Sequence, residues 1–261
     1  MKIFSKVTAL CLATVMALGF SGCTNNSANG SQGSSIETIK TKGYVTMATN
    51  AEFEPFEYKD GNEIVGIDVD ISNKIAEKLG VELKINDVSF DALTFELKNH
   101  SCDFVAAGMS YDEDRAKNID FSDPYFNATQ AVVVNSDSPI ASADELSGKR
   151  VGVQLGTTAD SYCTAQGQIN VVRFNKGMDA IADLISGQID AVMIDDFPAN
   201  KYVEKNEGKI KKLDQGLTGE KYVIGVPKGD TEMLSLINSV IAELKTSSEL
   251  DEIISNYISV D

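Results

Sequence analysis

Apolar residues recur along the chain with the periods of alternating strands and helices. The apolar run at residues 44–48 predicts a strand, and Ile71, Ile75 and Leu79 recur at helical spacing. Gly80 follows them directly, where glycine commonly ends a helix. Further elements are predicted as strands at 81–85 and 104–107 and a helix at 90–98. Strands alternating with helices predict an α/β fold with a mostly parallel sheet.

One helix-to-strand unit occurs twice in the sequence. Residues 91–93, Leu97 and residues 103–105 have counterparts in residues 179–181, Leu184 and residues 190–192. This similarity predicts a duplication that builds two similar α/β lobes, although a helix leading into a strand is common enough to recur by chance. Ligands bind open α/β sheets at the carboxyl ends of the strands, so a cleft between the lobes is the expected site.

The N-terminus has the pattern of an export signal. Lys2 and Lys6 precede an apolar run over residues 7–20, and Ser21-Gly22-Cys23 follows. This predicts a signal peptide over 1–22, and Cys23 resembles the acylated cysteine of bacterial lipoproteins. An ordinary secretory signal is the alternative. Residues 23–35 are mostly polar and predict a flexible tether, so we expect an extracytoplasmic protein attached to the membrane through a lipid anchor only.

Composition excludes several classes of function. Lys and Arg total 23 against 39 Asp and Glu, and the formal net charge of −16 disfavours nucleic acid as a partner. A single His, His100, excludes multi-histidine metal sites. Neither a metal nor a cofactor is therefore expected. Outside the signal peptide and Cys23, the cysteines are Cys102 and Cys163, without the spacing of a metal site.

Several segments in order, not any one motif, resemble a known family. They are residues 48–56, 66–71, 90–93, 107–110 with Arg115, and 120–125. Together they resemble the amino-acid-binding proteins of bacterial ATP-driven uptake systems, solute-binding protein family 3, over essentially the whole chain after residue 36. The resemblance implies a type II periplasmic-binding-protein-like fold, two-lobed and hinged. A free amino acid would bind in the interlobe cleft of a monomer and pass to the membrane subunits of an ABC permease.

The family's chain path sets the expected lobe bounds. Residues 36–129 and 222–261 would form the first lobe and 130–221 the second. Cys102 and Cys163 would then lie in different lobes, where a disulfide would tie moving parts together. We therefore expect two separate, buried or partly buried thiols.

An amino acid's carboxylate needs a cation and oriented donors. The resemblance assigns Arg115 to this carboxylate, which a guanidinium grips through two parallel hydrogen bonds. Gly108 and Ser110 follow a predicted strand and would supply backbone groups and a hydroxyl. Thr157 or Thr158 would cap a helix whose N-terminus forms the second grip. A surface Arg solvated by its acidic neighbours and a generic helix cap are the alternatives.

The ammonium and the side chain need different groups. Asp195 is the expected ammonium acceptor, with Asp196 the alternative and the carbonyl of Gly108 a further acceptor. The resemblance places Phe53, Phe90, Asn50, Gln154 and Met193 around the ligand side chain, although such aromatic residues are more often core. Members that prefer cationic ligands often carry an acid where this chain has Asn50, which favours a polar neutral amino acid. Glu52 is close enough to supply that missing charge.

Two other functions fit the same scaffold. An exported dehydratase of the cyclohexadienyl or arogenate type would place a general acid where the ammonium binds, and Asp195 could serve. The sensor lobe of a receptor is the third interpretation. The lipid anchor and the complete amino-acid site favour binding without catalysis.

Overall fold

The computed structural model describes residues 36–214, 217 and 219–258, so the predicted signal peptide, tether and Cys23 lie outside the described residues. In chain order the elements are α1 (Ile36–Lys42), β1 (Tyr44–Thr49), β2 (Glu52–Phe53), β3 (Glu57–Asp60), β4 (Glu63–Val65), α2 (Ile67–Leu79), β5 (Glu82–Asp87), α3 (Leu93–Lys98), β6 (Phe104–Val105), α4 (Glu113–Ala116), β7 (Ile119–Phe121), β8 (Phe126–Asn135), β9 (Arg150–Gln154), α5 (Thr158–Ala165), β10 (Asn170–Phe174), α6 (Gly177–Ile185), β11 (Ala191–Asp195), α7 (Asp196–Lys205), β12 (Ile210–Lys212), β13 (Gly219–Tyr222), β14 (Gly225–Pro227), α8 (Thr231–Thr246) and α9 (Glu249–Tyr257).

The predicted elements are present, with changes at their ends; the strand predicted at 81–85 is β5, which runs from Glu82 to Asp87. Gly80 ends α2 in the left-handed conformation (φ 72°), and its N–H donates to the carbonyls of Ala76 and Glu77, as the sequence pattern predicted. The helix predicted at 90–98 begins with a 3-10 turn before α3. The strand predicted at 104–107 is shorter, because the chain turns out of the sheet before Gly108.

Two large sheets organise the fold. Each has a main path of five hydrogen-bonded neighbouring strands, and each contains both parallel and antiparallel pairs. The first runs β5-β1-β6-β14-β7 and the second β10-β9-β11-β8-β12, with β13 also paired to β8. In each path the first three strands are parallel and the last two pair antiparallel. The prediction of a mostly parallel sheet is therefore wrong for half of the pairings along each path, because the antiparallel partners come from distant parts of the chain.

The two sheets share one strand order. The central strand of each parallel part comes first in sequence, so β5-β1-β6 corresponds to β10-β9-β11. The units α3–β6 and α6–β11, in which the sequence similarity was found, occupy equivalent places. The duplication predicted from the sequence agrees with this arrangement. We call the part built on the first sheet the first lobe and the part built on the second sheet the second lobe.

An antiparallel ladder joins the lobes. The first half of β8 pairs with β13, from Phe126 opposite Tyr222 to Thr129 opposite Gly219. The second half of β8 enters the second sheet between β11 and β12. Both crossings expected between the lobes therefore fall on or beside one antiparallel pair of strands.

Each lobe has its own buried core. The first is built on α2, α8 and the strands between them, and the second on both faces of β9 and β11. Phe53 packs against both lobes. Cys102 and Cys163 are buried free thiols, as expected, and burial raises the pKa of each to about 12. Among the described residues no helix has the length and apolarity needed to cross a bilayer.

Candidate functional site

A cavity lies between the two lobes at the carboxyl ends of β6, β9 and β11. Every described residue that the sequence assigned to the site lines it, except Asp196: Asn50, Phe53, Phe90, Gly108, Ser110, Arg115, Gln154, Thr157, Thr158 and Asp195. Met193 lies there too. Asp196 instead accepts a hydrogen bond from the N–H of Thr129 at 3.3 Å. The structure therefore brings together groups from both lobes that are far apart in sequence.

Arg115 is held at the cavity by its own backbone and by two carbonyls. It lies on the short helix α4, and its N–H donates to the capping carboxylate of Asp112 at 2.9 Å. Its Nη1 donates to the carbonyl of Ser110 at 2.8 Å and its Nη2 to that of Gly156 at 2.7 Å. The guanidinium lies 5.3 Å from the ring centre of Phe90. Burial lowers the pKa of Arg115 from its ordinary value, and an arginine remains cationic at neutral pH.

Gly108 occupies a position that only glycine fits. Its φ of 51° lies in the left-handed region, and an added Cβ would approach the ring of Phe53 to 2.6 Å. Its N–H donates to the carboxylate of Asp68 at 2.7 Å. That carboxylate also accepts from the hydroxyl of Tyr125 at 2.6 Å. Burial raises the pKa of Asp68 to about 6, against the opposing effect of these hydrogen bonds.

Asp195 ends β11 with its carboxylate buried at the cavity wall. Gln130 and the hydroxyl of Tyr222 both donate to it. Burial raises the pKa of Asp195 to about 7, and the charges of Glu220 and Asp196 add to that effect. The hydrogen bonds from Tyr222 and Gln130 oppose it. Of the two adjacent acids, Asp195 lines the cavity and Asp196, the first residue of α7, does not.

The turn between β9 and α5 presents the start of a helix to the cavity. Thr157 is the helix cap, since its hydroxyl accepts from the N–H of Asp160 at 3.2 Å. The same hydroxyl donates to the carbonyl of Gln154 at 2.8 Å. The hydroxyl of Thr158 accepts from Gln130 at 3.2 Å. Unpaired N–H groups at a helix start attract anions, so this turn suits a carboxylate.

Two amides face each other across the cleft. Gln154 of the second lobe donates to the side-chain oxygen of Asn50 in the first lobe at 2.9 Å, and to the carbonyl of Asn175 at 3.2 Å. Asn50 in turn donates to the carbonyl of Val88 at 2.8 Å. Because both N–H groups of Gln154 are engaged, its amide offers the cavity an oxygen acceptor.

Sequence reasoning missed Glu57, which also lines the cavity. Its side chain is fully buried, and neither carboxyl oxygen has a hydrogen-bond donor among the described residues. The signal was present in the sequence, because Glu57 is an acid between Phe56 and Tyr58. Tyr222 was missed as well, since its contact with Asp195 joins distant segments.

Three comparisons place the chain among known proteins. Residues 45–260 match the family of bacterial extracellular solute-binding proteins, family 3. The arginine-binding extracellular protein ArtP of Bacillus subtilis is 32% identical over 228 residues, covering 86% of this chain and 89% of ArtP. A crystal structure of a mutant of ArgBP from T. maritima is 43% identical, with a TM-score of 0.83 over 86% of this chain and 99% of that one.

Structures of ancestral arginine-binding proteins are similar as well. An ancestral arginine-binding protein bound to glutamine is 38% identical, with a TM-score of 0.79 over 84% of this chain and 99% of that one. An ancestral arginine-binding protein bound to arginine is 38% identical and has a TM-score of 0.79 over 83% of this chain and 99% of that one. On the family match and these likenesses, the chain belongs to the bacterial extracellular solute-binding proteins of family 3.

Proposed function

We propose that this protein captures a free L-amino acid between its two lobes and delivers it to an ABC permease. The observation that carries the proposal is the pairing of opposite charges in one interlobe cavity, with Arg115 and Asp195 both in its wall. An amino acid presents a carboxylate and an ammonium at a fixed separation, and these two side chains complement them. The start of α5, capped by Thr157, would hold the carboxylate from the second lobe.

The opposed amides of Asn50 and Gln154 indicate the class of side chain. They offer the cavity mainly oxygen acceptors, because the N–H groups of Gln154 are engaged. A long side chain that ends in N–H donors complements such a wall, between the rings of Phe53 and Phe90. Glutamine is the polar neutral amino acid that meets these requirements.

Arginine is the second candidate, because relatives that share most of this chain's length are named for arginine binding. Its guanidinium also ends in N–H donors and stacks well on aromatic rings. The acids nearest that end of the cleft are in ion pairs: Glu52 with Lys176 and Asp87 with Lys59. A neutral side chain needs no free carboxylate there, which is why we place glutamine first.

A thermal-shift screen over the twenty L-amino acids tests the proposal, followed by calorimetry with L-glutamine and L-arginine. A ligand that binds only the native state raises the melting temperature by mass action. Stabilisation by glutamine above all others supports the proposed ligand. Tighter binding of arginine than of glutamine would contradict the choice of a neutral ligand side chain, but it would still support amino-acid capture. No stabilisation by any amino acid would contradict the proposed function.

A further inference from the structure

Glu57 and Asp68 form a pair of buried carboxyls beneath the cavity. Glu57 begins β3 and Asp68 lies in the first turn of α2, and both side chains are fully buried. Asp68 is well supplied with donors, namely the N–H of Gly108 and the hydroxyl of Tyr125. Glu57 receives none from any residue in the described part of the chain, and Asp68 lies beside it, since the N–H of Asp68 donates to the carbonyl of Phe56 at 3.0 Å.

Two facing carboxyls in an apolar interior can share a hydrogen bond only if one of them carries a proton. The donors on Asp68 favour its ionised form, so of the two acids Glu57 is the one expected to hold a shared proton. Burial, followed by the charge of Asp68, raises the pKa of Glu57 well above its ordinary value. The charge of Asp195, at the opposite wall, acts in the same direction.

The surrounding groups are mostly acidic or neutral. Tyr125 donates a hydrogen bond to Asp68, and Tyr222 of β13 donates one to Asp195. Glu220 of β13 and Asp196 of α7 lie near enough to Asp195 to raise its pKa. The nearby cation in the cavity wall is Arg115 on α4, which already donates to two carbonyls. A proton on Glu57 therefore neutralises an excess of negative charge at this wall.

We propose that Glu57 is a second carboxyl that receives the ligand's ammonium, and that the proton joining Glu57 to Asp68 leaves for bulk water when the ammonium enters. This inference rests on the proposed function, because it requires an amino-acid ligand. No bond other than that O–H is broken, and the positive charge of the ammonium replaces that of the proton. The ammonium then lies between Glu57 of the first lobe and Asp195 of the second, so both lobes hold it.

Calorimetry in buffers of different ionisation enthalpy measures this exchange. L-glutamine and L-arginine are titrated into the wild-type protein in phosphate and in Tris at pH 7, and the dependence of the observed enthalpy on the buffer gives the protons released. We expect a net release approaching about one proton per ligand bound. A binding enthalpy that does not depend on the buffer would overturn the inference while leaving amino-acid capture intact. Failure of both amino acids to bind would overturn the proposed function and this inference together.

Variants separate Glu57 from Asp195, which could also release a proton. Glu57→Gln keeps the shape and a donor toward Asp68, so we expect it to bind about tenfold to hundredfold more weakly and to release fewer protons. Glu57→Asp retains a titratable carboxyl and should regain part of the release. Glu63→Gln, an exposed acid on the neighbouring strand β4, is the matched control and should behave as wild type. An unchanged proton count in Glu57→Gln would assign the proton to Asp195 and contradict the proposal.

Discussion

Arg115 of the first lobe donates a hydrogen bond from Nη2 to the carbonyl of Gly156 in the second lobe at 2.7 Å. The residue proposed to hold the ligand's carboxylate is thus also bonded directly across the cleft. Its Nη1 is fixed from within the first lobe, by the carbonyl of Ser110. Such a contact forms only when the lobes are close, so we expect the guanidinium to couple ligand binding to closure.

Replacement of Arg115 should therefore abolish binding without unfolding the protein. Arg115→Ala removes a charge-assisted, two-pronged grip, and we expect affinity to fall by at least about a hundredfold. Arg115→Lys keeps the charge and loses the fork, so it should recover only part of the affinity. Calorimetry measures both, and circular dichroism checks the fold. Lys117→Ala, on the exposed side of the same turn, is the control. Affinity near wild type in Arg115→Ala would contradict the assignment.

Two ion pairs at the mouth of the cleft should favour the closed form. Lys176 and Lys205 of the second lobe pair with Glu52 and Glu54 of the first. Exposed pairs contribute about 0.2–1 kcal/mol each, so Glu52→Gln with Glu54→Gln should weaken ligand affinity about twofold to thirtyfold. Added salt should lower the ligand affinity of the wild type toward that of the double variant.

The control for this prediction is Lys201→Gln, which removes an ion pair within α7 and crosses no cleft. Affinity that is equal in the double variant and the wild type at low salt would show that these pairs do not influence closure. Restored affinity in a charge-exchanged pair, Glu54→Lys with Lys205→Glu, would support it.

Asp195 should make the ligand-free protein less stable as pH rises. Its pKa is raised in the folded state from 3.8 to about 7, so between these values the native state binds more protons than the unfolded state. The free energy of unfolding therefore falls as pH rises through this window. Asp195→Asn cannot ionise and should gain stability relative to wild type, by roughly 2–4 kcal/mol at pH 8, while losing affinity for amino acids.

Denaturant unfolding at a series of pH values measures this difference. Asp190→Asn provides the opposite case, because its ion pair with Arg150 lowers the pKa of Asp190. That variant should lose stability relative to wild type at neutral pH, and the loss should shrink as pH falls through the ordinary range of an aspartate. If the free energy of unfolding of Asp195→Asn equals that of the wild type at every pH, the pKa of Asp195 is not raised in the folded state.

Ligand should bring the lobes together about the β8–β13 ladder. Small-angle scattering of the wild type is expected to show a smaller radius of gyration at saturating amino acid than without it. Arg115→Ala, which should not bind, serves as the control and should scatter identically with and without the amino acid. An unchanged radius in the wild type at saturation would argue against a hinged mechanism.

Local patterns in the sequence were sufficient for much of the fold. Gly80 ends α2 as its position predicted, because glycine alone adopts the left-handed conformation without strain. The recurring helix-to-strand unit indicated two similar α/β lobes, and the two sheets do share one strand order. The ordered motifs around Asn50, Gly108 and Arg115 also indicated the family and most of the residues that line the cavity. These features depend on residues that are close together in the sequence or on short motifs that this chain shares with the family.

Only the tertiary structure decided the features that depend on distant partners. The antiparallel half of each sheet comes from strands such as β14, whose pairing with β6 no local period encodes. Asp195 and Asp196 are alike in sequence, and only the turn from β11 into α7 directs the first of them to the cavity. Glu57 reads as an ordinary acid in a short strand until Asp68 is placed against it. Burial and proximity set the chemistry of such groups, and both arise only when the lobes fold and meet.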